Sequence, residues 1–128
     1  MAATAQAFAK LSIDGLGTQD EIWALFNDAT VPAKKFKGTV TLTGTTTAQL
    51  DTGDIAVAKI QAIFVKCVLS ATATLIAYDS ASGDPAATSP SLETGGFHFI
   101  TYGASGTQGI RVKGANTDVL EYLIWGMA

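Results

Sequence analysis

The sequence predicts an all-β protein, an antiparallel β-sandwich or jelly roll of about seven or eight strands. Three observations carry that expectation. Apolar residues come in short bursts between polar turns, and within the bursts they alternate with a period of two. Glycine is frequent, at 13 residues, while proline occurs only 3 times. The chain of 128 residues is the length of one domain, and 48% hydrophobic residues suffice for a core without disulfides or metal.

The elements follow in chain order. Residues 1–10 are Ala-rich and read as an N-terminal arm, uncharged from Ala2 to Phe8, with 11–128 as a single sandwich domain. The arm lacks the basic start and long apolar run of a signal peptide. Leu11 to Asp14 alternates briefly and reads as a first strand. Residues 18–28 fit two readings. Ile22, Trp23, Leu25 and Phe26 would make a buried strand, but Thr18 with Glu21 forms a capping box and Asp20 suits a helix start. The balance tips to one short helix or turn.

From Phe36 onward the strand signal strengthens. Thr39 to Thr43 places Val40 and Leu42 on one face and threonines on the other. Gly44 breaks the run, Thr45 to Leu50 resumes it, and Asp51-Thr52-Gly53-Asp54 makes a turn. Lys59 to Leu69 is the longest apolar run, with Ile63, Val65 and Cys67 opposite Ile60, Ala62, Phe64 and Val68. That pattern predicts a central strand covered on both faces, with Thr72 to Tyr78 as its hairpin partner. Asp79 to Gly96 reads as a long polar loop. Gly96 to Tyr102 is a strand with Phe97 and Phe99 on one face and His98, Ile100 and Tyr102 on the other. Gly109 to Lys113 and Asp118 to Trp125, joined by a turn at Gly114 to Thr117, read as a terminal hairpin.

Chemistry is sparse. With 15% charged residues and a net charge of −3, the chain lacks the clustered cations of a nucleic-acid binder. Arg111 is the sole arginine, and Lys34, Lys35 and Lys37 read as a solvated loop. Cys67 has no disulfide partner and reads as a buried hydrophobe. His98 is the one candidate base, and it lies between two phenylalanines in a strand. Asp51, Asp54, Asp79 and Asp84 lack the spacing of a calcium loop. No catalytic residue, cofactor or metal is expected, and no run is long enough for a membrane helix.

Leu50-Asp51-Thr52-Gly53 resembles the signature of retropepsin-type aspartic proteases, with Gly95-Gly96-Phe97 as a flap and Leu123-Ile124-Trp125-Gly126 as the element after it. The resemblance implies a dimer in which two copies of Asp51 share a proton. Asp54 stands where that family has Ala or Ser, and the flap lies too far downstream, so the turn reading prevails.

A broader likeness covers most of the chain. The Ala/Thr/Gly-rich body, the uncharged arm, Phe36-Lys-Gly-Thr-Val-Thr-Leu-Thr43 and the closing Val112 to Gly126 resemble small virion structural proteins of tailed phages. Capsid decoration (cement) proteins and tail-associated jelly rolls are the nearest in style. The resemblance implies a non-enzymatic homo-oligomer, often a trimer, made in the host cytoplasm and seated on a capsid or tail protein. Trp23, Phe26, Tyr122 and Trp125 are then candidate interface anchors, with core packing the expected fate of most of them. The alternative is a carbohydrate-binding sandwich module using Trp23, Tyr78 and Tyr102.

Overall fold

The computed structural model describes residues 6–13, 20–27, 33–71, 74–78, 85, 89–101 and 109–127. Strands dominate, and a single 3-10 turn, Val57–Lys59, is the only helical element among these residues. The chain divides into two compact units, Met1–Pro32 and Ala33–Ala128.

In the first unit, β1 (Gln6–Ile13) and β2 (Asp20–Asn27) pair antiparallel in unbroken register from Gln6↔Asn27 to Ile13↔Asp20. This corrects the expected short helix. Ile22, Trp23 and Phe26 have high β propensity, and pairing with β1 along the whole of Asp20–Asn27 gives alternate residues of the strand their backbone hydrogen bonds. Glu21, the acid of the supposed capping box, stands opposite Ser12 in the ladder. Strand β1 also takes in Gln6 to Lys10, which the sequence assigned to the arm. Thr18 and residues 1–5 lie outside the described residues.

The second unit contains β3 (Lys34–Thr41), β4 (Ala48–Gln49), β5 (Ile60–Leu69), β6 (Thr74–Tyr78), β7 (Ser91–Leu92), β8 (Phe97–Thr101), β9 (Ile110–Lys113) and β10 (Val119–Gly126). They form two four-stranded sheets, ordered β3-β10-β5-β8 and β4-β9-β6-β7. The second half of this unit retraces the first. Strand β6 pairs with β7, β5 with β8, β4 with β9 and β3 with β10, all antiparallel. Rolling that long ribbon brings β10 beside β5 and β6 beside β9, which closes each sheet. This is the eight-stranded jelly roll.

Rolling accounts for two corrections. Strands β5 and β6 are not a hairpin, and neither are β9 and β10, because each connection carries the chain from one sheet to the other. The polar residues that read as hairpin turns are corners of the roll. Adjacent corners stay bonded as the ribbon bends: the Leu42 amide donates to the Asp118 carbonyl at 2.8 Å, and the Thr117 amide to the Leu42 carbonyl at 2.9 Å. The Gly44 amide donates to Asn116 Oδ1 at 2.8 Å. The stretch read as a long loop also contributes structure, since Ser91 and Leu92 pair with Leu75 and Thr74.

The core lies between the two sheets. It joins Ile63, Val65, Cys67, Leu120 and Ile124 of the first sheet to Ile76, Leu92, Ile110 and Val112 of the second. Leu42, Leu50 and Ile55 close it from the corners. Each such aliphatic side chain contributes about 1.5–3 kcal/mol by leaving water. Tyr122 also points inward, and its cross-strand partner is Gly38. A Cβ at Gly38 would stand 2.6 Å from the Tyr122 ring, so only glycine leaves the ring room to lie across β3.

Candidate functional site

A buried carboxylate fixes the corners that frame the first sheet. Asp118 precedes β10 and is 1% exposed. Its oxygens accept from the Ala71 amide at 2.9 Å, the Ala115 amide at 2.9 Å and Thr74 Oγ1 at 3.0 Å, with Ser70 Oγ at 3.3 Å. One side chain thus ties the β5–β6 corner to the β9–β10 corner. Burial alone would raise its pKa, but these hydrogen bonds prevail and hold the carboxyl below its ordinary value. A Cβ on Gly114 would collide with Asp118 Oδ2, so the clasp also requires glycine there.

The outer face of that sheet is unlike an ordinary solvated surface. Alternation sends Phe64, Lys66 and Val68 of β5 outward, with Val119, Glu121 and Leu123 of β10 and Phe97 and Phe99 of β8. The register sets Lys37, Leu123, Phe64 and Phe99 in one row across four strands. Phe97 is 59% exposed and Phe64 38%, and their rings stack at 5.7 Å. Val68, Leu69 and Leu123 are exposed beside them. Further along, Phe99 stacks on the buried Trp125 at 5.8 Å.

Charges interrupt this apolar surface in a set pattern. Glu121 stands opposite Lys66 in the register, and Lys37 Nζ lies 3.4 Å from Glu121 Oε1. Lys37, Phe64, Lys66, Glu121 and Leu123 line a shallow depression of about 240 Å³. The arrangement offers an apolar contact surface with both signs of charge close at hand.

This face corrects the expectation that β5 is covered on both sides. Lys66 is the signal that could have found it, since a lysine in the same alternation set as Phe64 and Val68 marks a face open to water. The proposed anchors fare differently. Tyr122 is core: its hydroxyl donates to the Asp51 carbonyl at 2.7 Å, and its ring lies 6.2 Å from that of Phe36. Burial, with the Asp51 charge nearby, pushes its pKa up and keeps it a donor. Trp125 is buried on the outer side of β10, against Phe99. Trp23 and Phe26 are in β2 and Tyr78 is in β6, but their side chains lie outside the described residues, as does Tyr102 entirely.

The remaining candidates are dispersed. Asp51 is exposed in the expected turn, where its Oδ1 accepts from the Gly53 amide at 2.9 Å. The retropepsin-like segments accordingly occupy a turn at Asp51, the turn leading into β8 and the C-terminal half of the central strand β10. Cys67 faces the core beside Thr74 and Asp118, and burial raises its pKa, which keeps the thiol protonated and a poor nucleophile. His98 stands opposite Val65, on the inward side of β8. Lys34, Lys35 and Lys37 are in strand β3 rather than a loop, where they charge a sheet edge. Asp54 lies 3.6 Å from Lys34, while Asp79 and Asp84 lie outside the described residues. Among the described residues, no three His, Cys, Asp or Glu side chains gather as a metal site, and no helix is long and apolar enough to cross a membrane.

Comparison with protein-family models, curated proteins and solved structures finds no match to this chain.

Proposed function

We propose that this chain is a non-enzymatic structural subunit of a virion, a capsid decoration or tail-associated protein that assembles as a homo-oligomer on the particle. The observation that carries the assembly reading is the outer face of the β3-β10-β5-β8 sheet, where stacked Phe64 and Phe97 lie with Leu123, Val68 and Leu69 in water. A free monomer gains nothing from such a surface, whereas a subunit recovers its transfer free energy on docking. The jelly roll supports the virion setting because viral capsid domains use it. A shared fold is analogy, so the face bears more of the weight.

The test is sedimentation equilibrium of the wild-type chain and of Phe64→Lys. The wild type is expected to self-associate, and the variant to be monomeric with an unchanged circular dichroism spectrum. A wild-type chain that stays monomeric at millimolar concentration contradicts the reading.

One observation favours a second reading. The depression beside Phe64 combines an aromatic ring with Lys66 and Glu121, the mixture that holds a sugar ring by stacking and hydrogen bonds. Jelly rolls also serve as lectins. A monomer that binds immobilised glycans, and loses them on Phe64→Ala, would favour this reading over assembly.

A further inference from the structure

We infer that the outer face of the β3-β10-β5-β8 sheet packs against the same face of a second copy, about a twofold axis running along the strands midway between β10 and β5. The inference rests on the assembly reading above and names its partner.

The register carries it. A twofold axis lying in the plane between two sheets exchanges β10 with β5 and β3 with β8. Every cross-strand pair of one copy then meets the same pair reversed in the other. Glu121 stands opposite Lys66 within one sheet, so Glu121 faces Lys66 of the second copy, twice in the dimer. Leu123 stands opposite Phe64 and, beyond a register shift that leaves Val68 unpaired in the ladder, Val119 stands opposite Leu69, so apolar side chains face apolar side chains on both sides of the charged row. In the outer strands, Lys37 shares its row with Phe99, which sets a cation over an aromatic ring across the axis. A face with charges of one sign would repel its own copy. This one is complementary to itself.

The area is sufficient. The exposed parts of Phe64, Val68, Leu69, Phe97 and Leu123 present about 400 Å² of apolar surface per copy. With Lys37, Lys66, Glu121 and Val119 around them, two copies together bury more than the roughly 1,000 Å² that marks a biological interface. Ala62 and Trp125 at the other end of the face are already buried, so the contact centres on the rows from Leu123–Phe64 to Val119–Leu69.

The test exchanges charges between copies. Lys66→Glu and Glu121→Lys each place like charges across the axis twice, and each should weaken self-association at least about tenfold in sedimentation equilibrium. An equimolar mixture of the two variants restores both opposed pairs, and should associate within about threefold of wild type by the same principle. Equal melting temperatures for the three proteins show that folding is intact. A wild-type trimer overturns the twofold, since a threefold ring cannot be built from this contact. So does a mixture no tighter than its components. If Phe64→Lys dissociates the oligomer while both charge reversals leave it whole, the twofold falls and the assembly face stands. A monomeric wild type removes both.

Discussion

Asp118 binds the corners of the roll through four hydrogen-bond donors that belong to residues 70–74 and to residue 115. Removing it takes the acceptor from the buried Thr74 hydroxyl and from the part-buried amides of Ala71 and Ala115, so Asp118→Ala should cost about 2–4 kcal/mol in urea unfolding. The pH dependence has a definite sign. A carboxyl whose folded pKa is depressed stabilises the fold above the unfolded value of 3.8, and that stability drains away as pH falls through the folded value. The wild type should therefore lose stability steeply below about pH 3.8, and Asp118→Asn should flatten that part of the curve. Thr117, its neighbour, holds φ at 72° despite a branched side chain. Thr117→Asn should stabilise by about 0.5–1 kcal/mol, because asparagine accepts the left-handed region more readily. None of this was legible beforehand: an aspartate after Gly-Ala-Asn-Thr reads as any turn acid, and only the fold reveals four donors around it.

At the scale of elements, period-two alternation was a dependable guide to faces and a poor one to partners. It placed Ile63, Val65 and Cys67 together, and Leu120, Tyr122 and Ile124 together, and all six are core. It misjudged β5–β6 and β9–β10, because a short polar link serves a hairpin and a sheet-to-sheet corner alike. What separates them is long-range: β10 finds β3 across the whole unit, and no local signal encodes that pairing. The strand β2 was missed for the opposite reason, since Thr18, Asp20 and Glu21 carry a helix-start pattern that pairing with β1 overrides. The outer side of β5 was misread because Phe64 and Val68 look buried by type, while Lys66 between them tells the truth. Phe97→Ser tests that face as an element. It removes a ring already largely in water, so unfolding free energy should change by less than about 1 kcal/mol. Self-association, read by light scattering, should drop all the same. A large loss of stability would mean that the face belongs to the core of the monomer.

For the whole molecule, the rolled ribbon sends the aliphatic residues inward from both sheets and leaves one outer sheet face with more apolar surface than solubility calls for. Fold class was readable from composition and periodicity, while β2 and β7 escaped the strand count; the proposed assembly face needed the register, since residues from β5, β8 and β10 are far apart in the chain. Salt offers one check at this scale. Partly exposed ion pairs across the proposed dimer would be screened, so raising ionic strength should weaken association modestly while the apolar contact persists. The most direct measurement is hydroxyl-radical footprinting of the wild-type chain from micromolar to millimolar concentration. Phe64, Phe97, Val68, Leu69 and Leu123 should become protected together as concentration rises, while Arg111 and Lys113 on the other sheet keep their reactivity. Protection that does not change with concentration, or that grows on the other sheet, would contradict the account.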